Sequence, residues 1–269
     1  MTAEGYRAYA FPADAVRGDG SAASVAVKIC GIREEKTLRE MAGLQVNYVG
    51  FVFAPSRRRV TPEEAAALAA AARSVPMEGG RPPLTVGVFV NPAMEELELA
   101  IRAARLDVVQ LHGAETPDFC REVARRFGVA VWRALNAEEA ASAGGEGAPG
   151  GGAGGNAGGD GPAGIAAGVR PGPDEVLEAY RGAAEAVLLD TGGGGTGRTF
   201  RWDVIPAWKE AARRNGLKLF VAGGLHPDNV RALIDAHRPD GVDVSSGVET
   251  DGCKDIAKIA AFVERVKRG

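Results

Sequence analysis

Two apolar segments of this chain end in side chains that can exchange protons. The segment 25–30 ends in Cys30, directly before Gly31, and the segment 186–190 ends in Asp190, directly before a glycine-rich loop. A thiolate can accept a proton and a carboxylic acid can donate one. We therefore expect these two residues to form an acid and base pair at the ends of two strands.

Composition narrows the class of partner. The chain has 269 residues, 45% of them hydrophobic, and a net charge of -3. No basic surface for nucleic acid is indicated, and no apolar run is long enough to span a bilayer. A single globular unit that acts on a small, soluble molecule is the expected class.

The cysteines and the N-terminus indicate the compartment. Cys30, Cys120 and Cys253 are odd in number and widely spaced, which argues against a disulfide framework and favours a reducing compartment, the cytoplasm. Residues 1–24 lack the compact apolar stretch of a secretory signal. We expect them to form an N-terminal extension outside the fold.

Strand-like apolar runs alternate with helix-period segments along the chain. Cap and proline pairs, Thr61-Pro62, Asn91-Pro92 and Thr116-Pro117, predict helix starts, and a last helix is expected over 254–267. The expected strands are 25–30, 47–53, 84–90, 107–111, 129–134, 186–190, 217–222 and 241–245.

Eight βα units predict a TIM barrel, a single catalytic domain over 25–269. The runs are apolar nearly throughout, as parallel strands covered on both faces are. An open, doubly wound sheet is the alternative, but eight regular units favour closure. Either architecture places the functional site at the carboxyl ends of the strands.

One segment, 136–173, breaks the alternation because glycine and alanine dominate it. Such a composition buries too little apolar surface to offset the entropy of ordering. We expect a disordered insertion after the fifth strand. A substrate lid is the alternative, although the segment lacks charged or aromatic anchors.

The glycine loop 192–199 resembles a phosphate-binding P-loop in spacing, with Arg198 in place of lysine. Pro206 would interrupt the helix that a P-loop requires. A loop whose backbone amides bind a sugar phosphate is the preferred interpretation, with Gly195 and Gly197 as candidates. A plain glycine-rich turn is the alternative.

Two further glycine-containing segments follow the seventh and eighth strands. Gly223 and Gly224 follow one, and Ser246 and Gly247 follow the other. These loops often form a phosphate site in barrels, since glycine lets backbone N–H groups approach and serine adds a donor. We expect these four residues to bind phosphate, the alternative being tight structural turns.

A set of short motifs runs in order from about residue 25 to the C-terminus. They are Lys28-Ile-Cys-Gly-Ile32, Gly50-Phe-Val-Phe53, Ser56-Arg-Arg58, Gly87-Val-Phe-Val-Asn91, Val109-Gln-Leu-His-Gly113, Leu189-Asp-Thr191, Gly194-Gly-Thr-Gly197, Phe200, Trp202, Gly223-Gly-Leu225 and Asp243-Val-Ser-Ser-Gly-Val-Glu249. Taken together, these motifs resemble the phosphoribosylanthranilate isomerase family. Residues 1–24 and the glycine-rich segment depart from the family pattern.

The resemblance implies a cofactor-free Amadori rearrangement of N-(5-phosphoribosyl)anthranilate in tryptophan biosynthesis. It implies that Cys30 is the general base and Asp190 the general acid. Arg58 matches the family's Ser-x-Arg pattern and is expected to bind the anthranilate carboxylate, although its arginine neighbours leave a solvated basic loop as the alternative. Asp243 is expected to line the site, and His112 either lines it or orients other groups.

The assigned roles require shifted pKa values. We expect the pKa of the Cys30 thiol to be lowered toward neutrality by Lys28, which points the same way along the strand, and that of Asp190 to be raised by apolar surroundings. With His226 and His237 as the only other histidines, no spaced Cys/His cluster predicts a metal site.

Two competing functions belong to different classes. A sugar-isomerising barrel of histidine biosynthesis would carry aspartates at both the acid and base positions, and Cys30 disfavours it. A non-enzymatic nucleotide-binding module built on the glycine loop would bind ATP or GTP and depend on Mg²⁺. Direct ligand binding separates these alternatives from the isomerase.

If the glycine-rich insertion is dispensable, deleting residues 140–168 should leave turnover in the isomerase assay largely intact. A severe loss of rate in a normally folded deletion variant would instead identify the segment as a lid. Circular dichroism supplies the folding control.

Overall fold

The computed structural model describes residues 24–136, 171–190 and 201–268. Within them, eight parallel strands pair in chain order, and β8 pairs with β1 to close a barrel. This closure confirms the TIM barrel and rules out the open sheet. The strands are β1 Ala26–Cys30, β2 Tyr48–Val52, β3 Leu84–Phe89, β4 Val108–Leu111, β5 Ala130–Asn136, β6 Ala186–Asp190, β7 Lys218–Val221 and β8 Gly241–Val244.

Each of the eight barrel strands is followed by a helix before the next barrel strand or the end of the described chain. The helices are α1 Glu35–Glu40, α2 Pro62–Ser74, α3 Met94–Ala104, α4 Pro117–Phe127, α5 Pro173–Ala179, α6 Ile205–Arg214, α7 Pro227–His237 and α8 Ile256–Lys267. Short 3-10 helices occupy Trp202–Val204 and Ser246–Val248, and a small antiparallel hairpin follows, with strands β9 Glu249–Thr250 and β10 Cys253–Lys254. None of the described helices is long and apolar enough to cross a membrane.

Two of the predicted helix starts, at Thr61 and Thr116, are confirmed, and each has the expected N-cap hydrogen bond. The Thr61 hydroxyl accepts from the Glu64 amide at 3.2 Å, and the Glu64 carboxylate accepts from the Thr61 amide at 2.8 Å, which completes a capping box. The Thr116 hydroxyl accepts from the Phe119 amide at 3.2 Å. Pro62 and Pro117 then occupy the first helical turns.

The predicted start at Asn91-Pro92 is wrong, because α3 begins only at Met94. Asn91 has a left-handed backbone, with φ of 47°, and its side-chain oxygen accepts from the amide of Ala114 at 2.7 Å. The asparagine therefore joins the loops after β3 and β4 instead of capping a helix.

Two other predicted boundaries also shift. The last helix begins at Ile256 instead of residue 254, because Asp255 caps the amides of Ala257 and Lys258. Asn136 still belongs to β5 and Pro173 already belongs to α5, so both ends of the predicted 136–173 insertion fall in regular structure. The central part of that segment lies outside the described residues.

The middle of the barrel interior is apolar, and polar side chains lie toward the carboxyl ends of several strands. Tyr48, Trp132 and Phe220 pack edge to face or tilted inside it, with ring centroids 4.8 Å apart for the first two and 4.5 Å for the last two. Alternate strand residues point outward and pack under the helices in a second, larger core. The interior rings form a closed base beneath the polar residues described below.

Gly241 at the start of β8 has no room for a side chain. A Cβ there would lie 2.2 Å from Cε1 of Phe220, a ring that is fully buried against Tyr48 and Trp132. Gly241→Ala should therefore destabilise the fold by about 1–3 kcal/mol, seen as a lower midpoint of urea unfolding.

The matched control is Gly172→Ala, because a Cβ at Gly172 meets nothing within 4 Å. Its midpoint should stay close to that of the wild type. Equal midpoints for the two variants would contradict the packing argument.

Candidate active site

Four ionisable side chains point into the barrel at the carboxyl ends of strands. Cys30 ends β1, Asp190 ends β6, Asp243 is the third residue of β8, and His112 directly follows β4. Because side chains alternate between faces, Cys30, Asp190 and His112 share the inward face with Ala26, Leu188 and Val108, and Asp243 lies beside Lys28 as its register partner. All but His112 are buried.

Lys28 and Asp243 form an ion pair inside the barrel. They are register partners on β1 and β8, and Lys28 Nζ lies 3.0 Å from Asp243 Oδ2. Burial by itself lowers the pKa of the fully buried Lys28, but the carboxylate of Asp243 and the sulfur of Cys30 outweigh burial and raise it. Lys28 is therefore a permanent cation beside the thiol.

Gly50 leaves the space in which the Cys30 thiol and Lys28 meet. It is the register partner of Cys30 on β2, and a Cβ there would lie 2.9 Å from Cys30 Sγ and 3.3 Å from Lys28 Nζ. Position 50 therefore requires glycine for a steric reason, because the side chain of any larger residue would occupy the volume between the sulfur and the ammonium group.

The expected direction of the Cys30 pKa shift is wrong. Burial raises the pKa of the thiol, and the opposing charge of Lys28 recovers only part of that shift. Sequence proximity showed the cation but not how completely the barrel removes the sulfur from water. At neutral pH the protonated thiol is the dominant form.

His112 connects Asp190 to a neighbouring amide. His112 Nε2 lies 3.4 Å from Asp190 Oδ2, and its Nδ1 lies 3.4 Å from Nε2 of Gln110. Burial lowers the pKa of His112 more than Asp190 raises it, which favours the neutral ring. A neutral ring that accepts from Gln110 at Nδ1 carries its proton on Nε2, facing the carboxylate.

Arg58 is the buried member of its arginine run. Its amide donates to the Ser56 hydroxyl at 3.1 Å, and its flanking arginines are exposed. A Cβ on Gly31 would lie only 2.4 Å from Arg58 Cδ, so the side chain crosses the end of β1 next to Cys30. Its guanidinium donates to Glu249 from Nε at 2.7 Å and from Nη2 at 2.9 Å.

The loops after β7 and β8 lie against each other. Gly223 and Gly224 have left-handed backbones, with φ of 79° and 61°. A Cβ on Gly247 would lie 1.8 Å from the carbonyl oxygen of Leu225, which shows direct contact between the loops. The structure therefore brings the loop that holds Gly223 and Gly224 against the loop that holds Ser246 and Gly247. Gly195 and Gly197 lie outside the described residues.

Two residues at this end of the barrel received no role from sequence reasoning. Glu249 accepts from Arg57, Arg58 and Lys254, and Lys254 also donates to the Ser245 carbonyl oxygen at 2.8 Å. The sequence offered one signal for Glu249, because this acidic residue closes the glycine-containing motif after β8. The pattern of strands in the sequence does not reveal the short hairpin of β9 and β10, which places Lys254 opposite Glu249.

These features place the chain in the (βα)8-barrel class, with ionisable side chains gathered at the carboxyl ends of the strands. Among the described residues, no three His, Cys, Asp or Glu side chains are grouped to hold a metal ion. The helix after the glycine loop, α6, begins at Ile205 behind a 3-10 turn, unlike the helix that opens within a P-loop.

Comparison with known proteins identifies the family. The sequence model of N-(5'-phosphoribosyl)anthranilate (PRA) isomerase matches residues 27–145 and 169–265. The chain therefore belongs to the N-(5'-phosphoribosyl)anthranilate isomerase family. The gap between the two matched ranges falls inside the predicted 136–173 insertion.

Relatives and solved structures agree with this membership. An N-(5'-phosphoribosyl)anthranilate isomerase of Brevibacillus brevis is 44% identical over 245 residues, 90% of this chain and 93% of the relative. The crystal structure of phosphoribosyl anthranilate isomerase from Thermus thermophilus has 30% identity and a TM-score of 0.64, covering 90% of this chain and 98% of that chain. A further isomerase structure, in complex with reduced 1-(o-carboxyphenylamino)-1-deoxyribulose 5-phosphate, has 30% identity and a TM-score of 0.61 over the same shares.

The Lys28 charge predicts how the thiol titrates. Iodoacetamide alkylation of Cys30, followed against pH in a Cys253→Ser background that removes the exposed thiol, should show an inflection above the ordinary thiol value. Lys28→Met should move the inflection higher still, because the cation that favours the thiolate is gone.

The control is the double variant Lys28→Met with Asp243→Asn, which leaves no unpaired buried charge. The double variant should fold as well as the wild type, and the pH inflection of its Cys30 alkylation should lie between those of the wild type and Lys28→Met. An inflection unchanged by Lys28→Met would contradict the assigned contact between ammonium and thiol.

Proposed function

We propose that Cys30 and Asp190 are the general base and general acid of the Amadori rearrangement of N-(5-phosphoribosyl)anthranilate to 1-(2-carboxyphenylamino)-1-deoxyribulose 5-phosphate, a step of tryptophan biosynthesis. Family membership supports the reaction. The observation that carries the assignment of residues is the position of Asp243, which interacts electrostatically with Cys30 and also with Asp190 and His112. The acid and the base thus face one space inside the barrel mouth.

Asp190 begins the reaction. Its carboxyl proton passes to the ribose ring oxygen as the bond from that oxygen to C1 breaks, and the nitrogen lone pair forms the C1–N double bond. Asp190 is left as a carboxylate, which the Nε2 proton of His112 stabilises. His112 therefore orients and stabilises the acid in addition to lining the site.

Cys30 continues the reaction. Its thiolate removes the proton from C2 of the sugar, and the electrons of that bond neutralise the iminium to give an enolamine. The enolamine then becomes the ketone as C1 gains a proton and the C2 hydroxyl loses one, so the substrate undergoes no net change in protons. A thiolate formed against a raised pKa is a minor species but a strong base, and Lys28 keeps the population from falling further.

The remaining side chains recognise the parts of the substrate that do not react. Asp243 Oδ1 is buried and has no hydrogen-bond partner among the described residues, so it is placed to accept from a sugar hydroxyl. Arg58 binds the anthranilate carboxylate. The loops after β7 and β8 bind the phosphate through Gly223, Gly224, Ser246 and Gly247, together with Gly195 and Gly197 of the glycine loop.

The organisation of the chain follows the same proposal. Residues 25–269 form one catalytic domain, residues 1–24 are an extension, and the part of the 136–173 segment that lies between β5 and α5 is an insertion that the chemistry does not need. The enzyme works in the cytoplasm on its small phosphorylated substrate, without cofactor or metal ion and without a nucleic-acid or membrane partner.

The assigned roles predict the behaviour of two variants. Cys30→Ser and Asp190→Asn should each reduce kcat about a hundredfold or more, because each removes one proton-transfer group. Turnover is followed as the loss of fluorescence of freshly generated phosphoribosylanthranilate, with a metal chelator present throughout.

Cys253→Ser is the matched control, since it makes the same change at an exposed thiol and should retain full activity. A wild-type chain that folds but gives no turnover would overturn the proposed reaction. Full activity in either site variant would overturn only the role of that residue.

A further inference from the structure

Glu249 lies at the centre of a cationic cluster beside the proposed anthranilate site. Its carboxylate is only 5% exposed and accepts from three cations: Arg57 at 2.6 Å, Arg58 at 2.7 Å and Lys254 at 2.9 Å. Although burial by itself raises the pKa of Glu249, the hydrogen bonds and charges of Arg58 and Lys254 outweigh it and hold the pKa below the ordinary value. The carboxylate is therefore ionised.

The cluster carries more positive than negative charge. One carboxylate faces three cations, and two of the cations, Arg58 and Lys254, are themselves nearly buried. Such an excess of positive charge away from water favours an additional anion. The cluster also adjoins the base, because Lys254 donates to the carbonyl oxygen of Ser245, whose hydroxyl donates to the carbonyl oxygen of Cys30 at 3.1 Å.

Glu249 binds Arg58 in a way that leaves part of the guanidinium for a ligand. The carboxylate takes the Nε and Nη2 edge in a bidentate contact. Both of these guanidinium hydrogen bonds run to Glu249, and they leave from Nε and Nη2, not from Nη1. A planar guanidinium held on one edge presents its other edge in a fixed direction, and a second carboxylate can bind there bidentately.

We propose that Glu249 is a positioning residue that determines specificity for the aromatic carboxylate of the substrate. It holds Arg58 across Gly31 with its outer edge toward the site, and Lys254 in turn holds Glu249. This inference rests on the proposed function, since it assigns the ligand of Arg58 as the anthranilate carboxylate. Glu249 itself does not touch the substrate.

The test compares two ligands that differ only in that carboxylate. One is reduced 1-(o-carboxyphenylamino)-1-deoxyribulose 5-phosphate, and the other is its phenylamino counterpart without the carboxylate. Calorimetric titration of Glu249→Gln should show about tenfold weaker binding of the first ligand and binding of the second within twofold of the wild type. In turnover, KM should rise more than kcat falls.

Two further variants keep the test decisive. Glu249→Asp keeps the negative charge but shortens the side chain by one methylene. It should bind the carboxylated ligand less tightly than the wild type, by a smaller factor than Glu249→Gln, and bind the other ligand normally. This variant supplies the test if Glu249→Gln folds poorly. Glu210→Gln makes the same change in an exposed ion pair on α6 and should bind both ligands as the wild type does.

Each outcome has a distinct meaning. If the folded variants bind both ligands equally less tightly, or bind both as the wild type does, the positioning role of Glu249 is overturned. Turnover by the wild type would still support the proposed function in that case. A wild type that binds neither ligand and does not turn over phosphoribosylanthranilate overturns the proposed function itself.

Discussion

The buried ion pair between Lys28 and Asp243 is the interaction on which the site depends. It joins the first strand to the last, so it lies at the seam where the barrel closes. Its ammonium approaches the Cys30 sulfur, and its carboxylate faces Asp190 and His112. Removing one partner of such a pair would cost about 3–5 kcal/mol, because the other charge would stay buried without compensation. Stability and reactivity therefore share the same two side chains.

Sequence reasoning was most successful where a local rule decides the structure. Alternation along β1 placed Lys28 and Cys30 on one face, and the Thr61 and Thr116 caps formed as expected, because both depend on neighbours in the chain. It failed at Asn91, whose side chain bonds Ala114 across two loops. The same limitation applies to the Cys30 pKa, which burial raises, since the degree of desolvation is a property of the closed barrel.

The role of Glu249 illustrates the remaining gap between sequence and site. Its partners Arg57 and Arg58 lie almost two hundred positions away in the chain, and only closure of β8 onto β1 brings them together. Arg58 could be chosen from its neighbours by its spacing from Ser56, but the residue that orients it has no local pattern. Long-range ion pairs of this kind follow from topology, which a single sequence indicates only as a fold class.

The hairpin that carries Glu249 and Lys254 also limits how this barrel can diverge. The connection after β5 accommodates a segment that the family model skips, yet the connection after β8 is tied at both ends, through Glu249 to the loop after β2 and through Lys254 to Ser245. Extra residues between Ser245 and Glu249 would move Glu249 away from the arginines of the loop after β2. Among descendants of this sequence, the connection after β5 should therefore vary in length, while the connection after β8 keeps a constant number of residues.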